Sequence, residues 1–386
     1  MYQAGPMLTM GSVCEPEFAH DLLLKILLKL PVKSFTRFKC VCKHWNFLTS
    51  DPEFIRRYLK TMAALESHHD FLLYDFVRGP FYMRILSDRH GDDAHQVIQA
   101  TNLKIPYCDL TLSMNPTKFF VVIGHCDGLL CVGIQSVKSR LQALILWNPS
   151  LQDLKQIPVP RSWRRESWRV LGFGRDFSTD DYKIFRVSNE YGVSEYSDVE
   201  IMSMKNNSII KAEKDLPYFA KSKQKSTFAN GCLHWFACKP LRYGIYHDLI
   251  LRFDLAKEKA REVSPPPCRV DSCSLSLFRG CLCVPSYNKI TGDTDLWVRK
   301  KQHGMHKSWM KLITLPETPN YGKIWRPFPI CYIRNKVLVN ADNKNFFLFN
   351  PNDESYQKLV VHGITYWAKI FPYVESLVSP YSITKA

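Results

Sequence analysis

The stretch LLLKILLKLPVKSFTRFKCVCKHWNFLTSDPEF, Leu22 to Phe54, packs more apolar surface into a short segment than so small a unit can bury. Leu22, Leu23, Ile26, Leu27 and Leu30 share one helix face, while Leu24 and Leu28 carry the apolar surface round to a second side. Two apolar faces call for two partners. Pro31 ends that helix, Ser34 is placed to cap a short second one presenting Phe35 and Phe38, and Asp51-Pro52 is a cap and first-turn proline opening another through Leu59 toward Leu65. The segment reads as a small helical docking module; the alternative is one closed core that holds all of these side chains itself.

Beyond residue 70 the pattern changes to short alternating strands bounded by Asn, Asp, Gly and Pro. A unit recurs. LILWNPSLQDLKQIP (Leu144 to Pro158), LILRFDLAKEKAREVSP (Leu249 to Pro265) and FFLFNPNDESYQKLVV (Phe346 to Val361) are each an apolar strand ending in an aromatic plus Asn or Asp, a polar turn and a second strand. Weaker copies run from Val199 to Pro217 and from Asp295 to Pro316, and the prolines closing successive copies recur about every 50 residues, a spacing found in propellers. CDGLLCV (Cys126 to Val132), ANGCLHWF (Ala229 to Phe236), RGCLCV (Arg279 to Val284) and RNKVLVN (Arg334 to Asn340) precede most copies, with Asp127-Gly128 and Asn230-Gly231 marking tight hairpins. Each unit is then two hairpins, or four strands. Five clear units and a sixth from Phe71 to Leu112 predict a small all-α bundle followed by a large all-β domain, a kelch-type β-propeller of about six blades. YVESLV, Tyr373 to Val378, is the candidate strand to close the ring near Phe71 to Tyr74; an open stack of sheets is the alternative.

The residues also carry a resemblance. Leu30 to Ser34, Phe38 to Lys43, Trp45 and Asp51 to Phe54 are similar to the F-box of plant F-box proteins, although this chain has Phe18-Ala19 where the family opens with Leu-Pro. CDGLLCV, the WNPS following Leu146, and GFGRDFSTDDYKIFRV (Gly172 to Val187) resemble the F-box-associated interaction region of the same family, and the ending YVESLVS is similar to that of S-locus F-box proteins of pollen. The resemblance implies a substrate receptor of a ubiquitin ligase. Its F-box would bind a Skp adaptor, and through it cullin and RING subunits, while the C-terminal region would recognise an unidentified target protein. On that basis Leu22, Ile26, Leu27, Leu30, Pro31 and Val41 would face the adaptor, and Phe38, Cys42 and Trp45 would hold the box together. The expected divisions are a leader at 1–16, the box at 17–60, a linker or helix end at 61–69 and the β domain at 70–386.

Composition narrows the other classes. The 386 residues carry 46% hydrophobic and 13% aromatic side chains, enough for a large core. Thirteen scattered cysteines without a CxxC pair suggest reduced thiols, hence cytosol or nucleus, and no apolar run reaches a membrane span. No cofactor, resident metal or catalytic group is expected: Gly172-Phe173-Gly174 lacks a third glycine, His90, Asp92, Asp93 and His95 lie in a polar stretch, and His303 and His306 sit among Lys and Arg. His125 and His234 fall in apolar hairpins and read as core histidines. A formal net charge of +16 favours acidic partners. Arg161, Trp163, Arg164 and Arg165 in one turn region, and Arg299, Lys300 and Lys301 in another, are the candidate target-binding residues, with Trp168 pointing inward. Two rivals remain from other classes. One is a nucleic-acid-binding β-repeat protein, suggested by the arginines and tryptophans interleaved from Arg161 to Arg169; the other is a propeller enzyme with a metal in its channel.

Overall fold

A computed structural model describes residues 17–38, 40–41, 43–64, 68–75, 79–86, 97–99, 101–102, 118–136, 138, 140–165, 168–188, 197–211, 216–220, 222–241, 245–268, 274–301, 307–317, 327–341, 345–362 and 368–383. Four helices open it: α1 (Glu17–Leu27), α2 (Val32–Phe38), α3 (Lys43–Ser50) and α4 (Pro52–Ala64). The Asp51 carboxylate accepts from the Phe54 amide at 2.8 Å, so the expected cap is formed. Ser34 does not cap α2, because that helix already starts at Val32.

The strands follow in chain order. They are β1 (His68–Asp75), β2 (Gly79–Leu86), β3 (Val97–Gln99), β4 (Thr101–Asn102), β5 (Lys118–Cys126), β6 (Leu129–Ser136), β7 (Leu141–Asn148) and β8 (Asp153–Ile157). After a short helix α5 (Arg161–Arg165) come β9 (Val170–Asp176), β10 (Asp181–Ser188), β11 (Asp198–Ser203), β12 (Ser208–Lys211), β13 (Gln224–Lys225), β14 (Thr227–Ala229), β15 (Cys232–Pro240), β16 (Tyr246–Asp254) and β17 (Lys259–Val263). The chain ends with β18 (Ser276–Phe278), β19 (Cys281–Tyr287), β20 (Thr294–Lys301), β21 (Lys307–Leu315), β22 (Phe328–Ile333), β23 (Lys336–Ala341), β24 (Asn345–Asn350), β25 (Ser355–His362) and β26 (Ala368–Tyr373).

These strands make six sheets, five of which contain a meander of four consecutive strands, β5 to β8, β9 to β12, β14 to β17, β18 to β21 and β22 to β25; β13 adds a parallel fifth strand beside β9, and β3 adds one beside β25. The sixth is composite. In it β26 pairs with β1 from Asp70↔Tyr373 to Asp75↔Ala368, followed outward by β2 and the two-residue β4. Where about six blades were expected, the ring holds five regular blades, and its sixth sheet is a composite that joins β26 to β1, β2 and β4. Contacts pass from β5 to β9 and β14, then to β18, β22 and β26, and Leu72 and Tyr373 share a core cluster with Val122 and Leu130, so the sheets close into a ring. The closing strand is Ala368–Tyr373; Tyr373 alone belongs to the segment expected for it, because residues 374–378 leave the sheet for a different task.

Turn chemistry explains the repeat. Asp127 and Gly128, Asn230 and Gly231, and Arg279 and Gly280 all have positive φ, as two-residue hairpins between right-twisted strands require. At the second turn the recurrent Asn or Asp bonds to the backbone ahead of it: Asn148 Oδ1 accepts from the amides of Ser150 and Leu151, Asp254 Oδ1 from those of Ala256 and Lys257, and Asn350 Oδ1 from that of Asn352. Gln152, Glu258 and Glu354 then close those turns with positive φ.

Packing between blades explains the paired glycines. A Cβ on Gly172 would lie 2.2 Å from Ser226 Oγ, and one on Gly174 would lie 2.2 Å from the Phe228 ring, so β9 approaches the next blade as only glycine allows. Gly174→Ala should therefore lower stability by about 1–3 kcal/mol, read from thermal and urea melts, whereas a melt matching the parent protein would show that the contact relaxes freely. His234 is buried, with Nδ1 3.3 Å from the Thr227 carbonyl; burial, followed by the charges of Arg252 and Arg299, lowers its pKa from 6.5 to about 4. The unfolded chain binds the extra proton between those values. The resulting stability is complete above the unfolded value and declines as the pH falls toward the folded one, by roughly 2 kcal/mol at pH 5. His234→Gln should shrink the drop in Tm between pH 7 and 5, and an unchanged drop would contradict this.

Candidate docking and target-binding surfaces

The helical box has an inner and an outer side. Inside, Leu27, Val32, Phe35, Phe54 and Tyr58 form a buried cluster, Phe35 and Phe54 stack at 5.3 Å, and the Tyr58 hydroxyl donates to the Leu30 carbonyl at 2.7 Å. Leu27 is only 2% exposed, so it belongs to the core and not to the outer face where it was expected. Leu30 is half-buried against the same cluster, Pro31 is exposed, and Phe38 and Trp45 meet edge to face at 5.2 Å. Cys42 lies outside the described residues.

Outside, Leu22 and Ile26 are each 52% exposed one helical turn apart on α1, Val41 is 63% exposed, and Phe47 on α3 is 75% exposed. Phe47 was not legible as an outer residue, since its spacing alone does not say which way α3 turns. Four large apolar side chains of this small bundle thus stand in water.

The antiparallel meander separates the candidate target residues. The turns at 127–128, 149–152 and 230–231, the end of β26 and the box share one end of the ring, while α5, Leu241 after β15 and Ile245 before β16 lie at the other. Arg161 and Arg164 are exposed at that far end. Arg299 and Lys300 are half-buried on β20 as it runs back toward the box end, so the two basic groups do not make one surface. Burial, followed by the charge of Arg252, lowers the Arg299 pKa. The side chains of Arg165 and Lys301 lie outside the described residues. Trp163 is not a contact residue: it is fully buried, its Nε1 donates to Glu200 Oε2 at 2.7 Å, and the same carboxylate accepts from Ser162 and buried Arg186. Trp168 is also buried, with Nε1 bonded to Gln135 at 3.0 Å, so neither tryptophan is free to stack on a nucleic-acid base.

A cavity of about 1250 Å³ runs among the inner strands; Phe120, Trp168, Gln224, Phe236, Phe328 and Asn340 are among its lining residues. The Asn340 Oδ1 is buried with no hydrogen-bond partner among the described residues. Near the box end of the channel, Asp127 Oδ2 accepts from Arg175 at 2.9 Å and from the Tyr182 hydroxyl at 2.8 Å, tying the CDG turn to the GFGRD strand and to β10. Burial raises the thiols of Cys283 and Cys331 to about 12, which disfavours the reactive thiolate. Among the described residues no group of three His, Cys, Asp or Glu could hold a metal ion, and no helix is long and apolar enough to cross a membrane. His90, Asp92, Asp93, His95, His303 and His306 fall outside the described residues.

The box coincides with a match to the F-box domain over residues 17–57, and the ring with a match to the F-box associated beta propeller domain over residues 89–380. An F-box/kelch-repeat protein of Arabidopsis thaliana is 26% identical over 373 residues, covering 93% of this chain and 95% of its own length. F-box protein CPR1 of Arabidopsis thaliana is 26% identical, covering 88% of this chain and 83% of its own length, and another F-box protein of that plant is 23% identical with 90% and 88% covered. With its two matched regions in the order of the helices and sheets, the chain belongs to the plant F-box proteins that carry an F-box associated β-propeller.

Proposed function

We propose that this protein is the substrate-recognition subunit of a Skp-cullin-F-box ubiquitin ligase. The observation that carries the reading is the unpartnered apolar face of the box, where Leu22, Ile26, Val41 and Phe47 stand in water. A Skp adaptor would cover that face, aided by the basic charge of the segment from Glu17 to Lys60, and would bring cullin and RING subunits with it. The chain then works by proximity, in cytoplasm or nucleus: holding a target near the ubiquitin-carrying subunit raises the local concentration of its lysines, and no acid, base or nucleophile of its own is needed.

The target would be read at the far end of the ring. Arg161 and Arg164 supply positive charge there, Leu241, Ile245 and Tyr246 are exposed at the same end of the ring around the end of β15 and the start of β16, and aromatic residues line the channel. An acidic segment with an apolar anchor suits that combination. A nucleic-acid role has lost its aromatic support, since Trp163 and Trp168 are both core residues.

The test is titration of the full-length protein with a purified Skp adaptor. Leu22→Asp with Ile26→Asp should weaken adaptor binding at least 100-fold while Tm changes by less than about 2 °C, because both side chains already face water. Undiminished binding by that double variant would reject the docking face. Arg161→Glu with Arg164→Glu should leave the adaptor affinity unchanged and abolish co-purification of targets from plant tissue in which the proteasome is inhibited; an unchanged set of captured proteins would remove the far-end reading.

A further inference from the structure

Residues 374–378, which run on from the ring-closing strand, pass beneath the box and supply pieces that the box lacks. Leu377 is buried in the same cluster as Leu27, Val32, Phe35, Phe54 and Tyr58. Glu375 Oε2 accepts from the Val32 amide at 3.1 Å, so a carboxylate 343 residues away caps the start of α2, directly after a proline that has no N–H to offer. On the ring side, Asn148 is fully buried and donates from Nδ2 to the carbonyls of Ser376 at 2.9 Å and Val378 at 2.8 Å. The Tyr373 hydroxyl lies 2.7 Å from Ser150 Oγ, Ser379 Oγ donates to Asp153, and the Tyr381 hydroxyl donates to the Leu154 carbonyl. Ile55 and Leu59 of α4 pack onto the cluster containing Val378.

We infer that Glu375 and Leu377 are positioning residues for adaptor docking, fixed by the buried amide of Asn148, so that the box reaches its docking form only when β26 has closed the ring. The contrast among turns supports this. Asp254 and Asn350 bond to their own turns through Oδ1, whereas Asn148 makes the same cap with Oδ1 and spends its second polar atom on the tail. A carboxylate at 148 would keep the cap and set negative charge against two carbonyl oxygens. The consequence is a check on completeness, since a chain with an open ring or lacking its last residues has a defective box and recruits no ligase. The docking face and the far end of the ring are also held as one lever.

The binding half of this inference rests on the proposed function; the structural half does not. Hydrogen exchange of the full-length protein, read by mass spectrometry, is compared for the parent, Asn148→Asp, Leu377→Ala, Leu377→Met and Glu375→Ala, each also titrated with a Skp adaptor. Asn148→Asp and Leu377→Ala should speed exchange in α1 to α4 at least tenfold and weaken adaptor binding at least tenfold, with β14 to β21 unchanged, while Leu377→Met retains both properties. Unchanged box exchange in both impaired variants overturns the inference, and so does equal acceleration in β14 to β21, which would mean that the tail acts only through global stability. Should Asn148→Asp fail to fold, Glu375→Ala decides, because it removes the acceptor of the Val32 amide: it should speed exchange in α2, and exchange like the parent's overturns the inference. If the parent binds no adaptor, the proposed function falls while the exchange arm still settles the coupling.

Discussion

Pairing between β1 and β26 joins the first strand of the ring to its last, and the rest of the molecule depends on it. Without that ladder the composite sheet has no inner strand, and two blades face an open seam. An open seam exposes a row of unpaired backbone groups, which proteins of this kind avoid by closing the circle. The register from Asp70↔Tyr373 to Asp75↔Ala368 also fixes where the chain leaves the sheet, and hence where residues 374–378 meet the helices.

From that constraint follows a molecule with two distinct ends. The box end carries the exposed side chains of Leu22, Ile26, Val41 and Phe47, and the far end carries Arg161 and Arg164. Buried polar ties cross between blades: Asp127 with Arg175 and Tyr182, and Lys183 with the Leu255 carbonyl, while Trp163 of α5 bonds to Glu200 of β11; Lys183 with Asp176 and Arg186 with Glu200 act within one blade. The crossing ties bury groups that would be costly to leave unpaired, so they specify one arrangement of neighbouring blades.

Local patterns were legible in the sequence and distant partnerships were not. The helix cap at Asp51, the hairpins at Asp127-Gly128 and Asn230-Gly231, and the repeated Asn or Asp at strand ends follow from backbone chemistry within a few residues, and all appear as read. The inward side of Leu27 was misjudged because helical spacing groups residues by face without saying which face meets the core. Trp163 looked like a surface anchor among arginines because its partner, Glu200, lies 37 residues along the chain on another strand. The closing strand was sought a few residues too late, since YVESLV alternates like a strand but is used to grip Asn148 and the box. The second role of Asn148 has no signal in a single sequence, because its turn looks like those at Asp254 and Asn350.

Hydrogen exchange of the intact chain, alone and with a saturating Skp adaptor, shows whether the adaptor covers the outer side of the box. Protection confined to the segments holding Leu22, Ile26, Val41 and Phe47, with the far end of the ring unchanged, is the result that this structure predicts. Protection centred on α5 and on Leu241 and Ile245, or no protection anywhere, would contradict it.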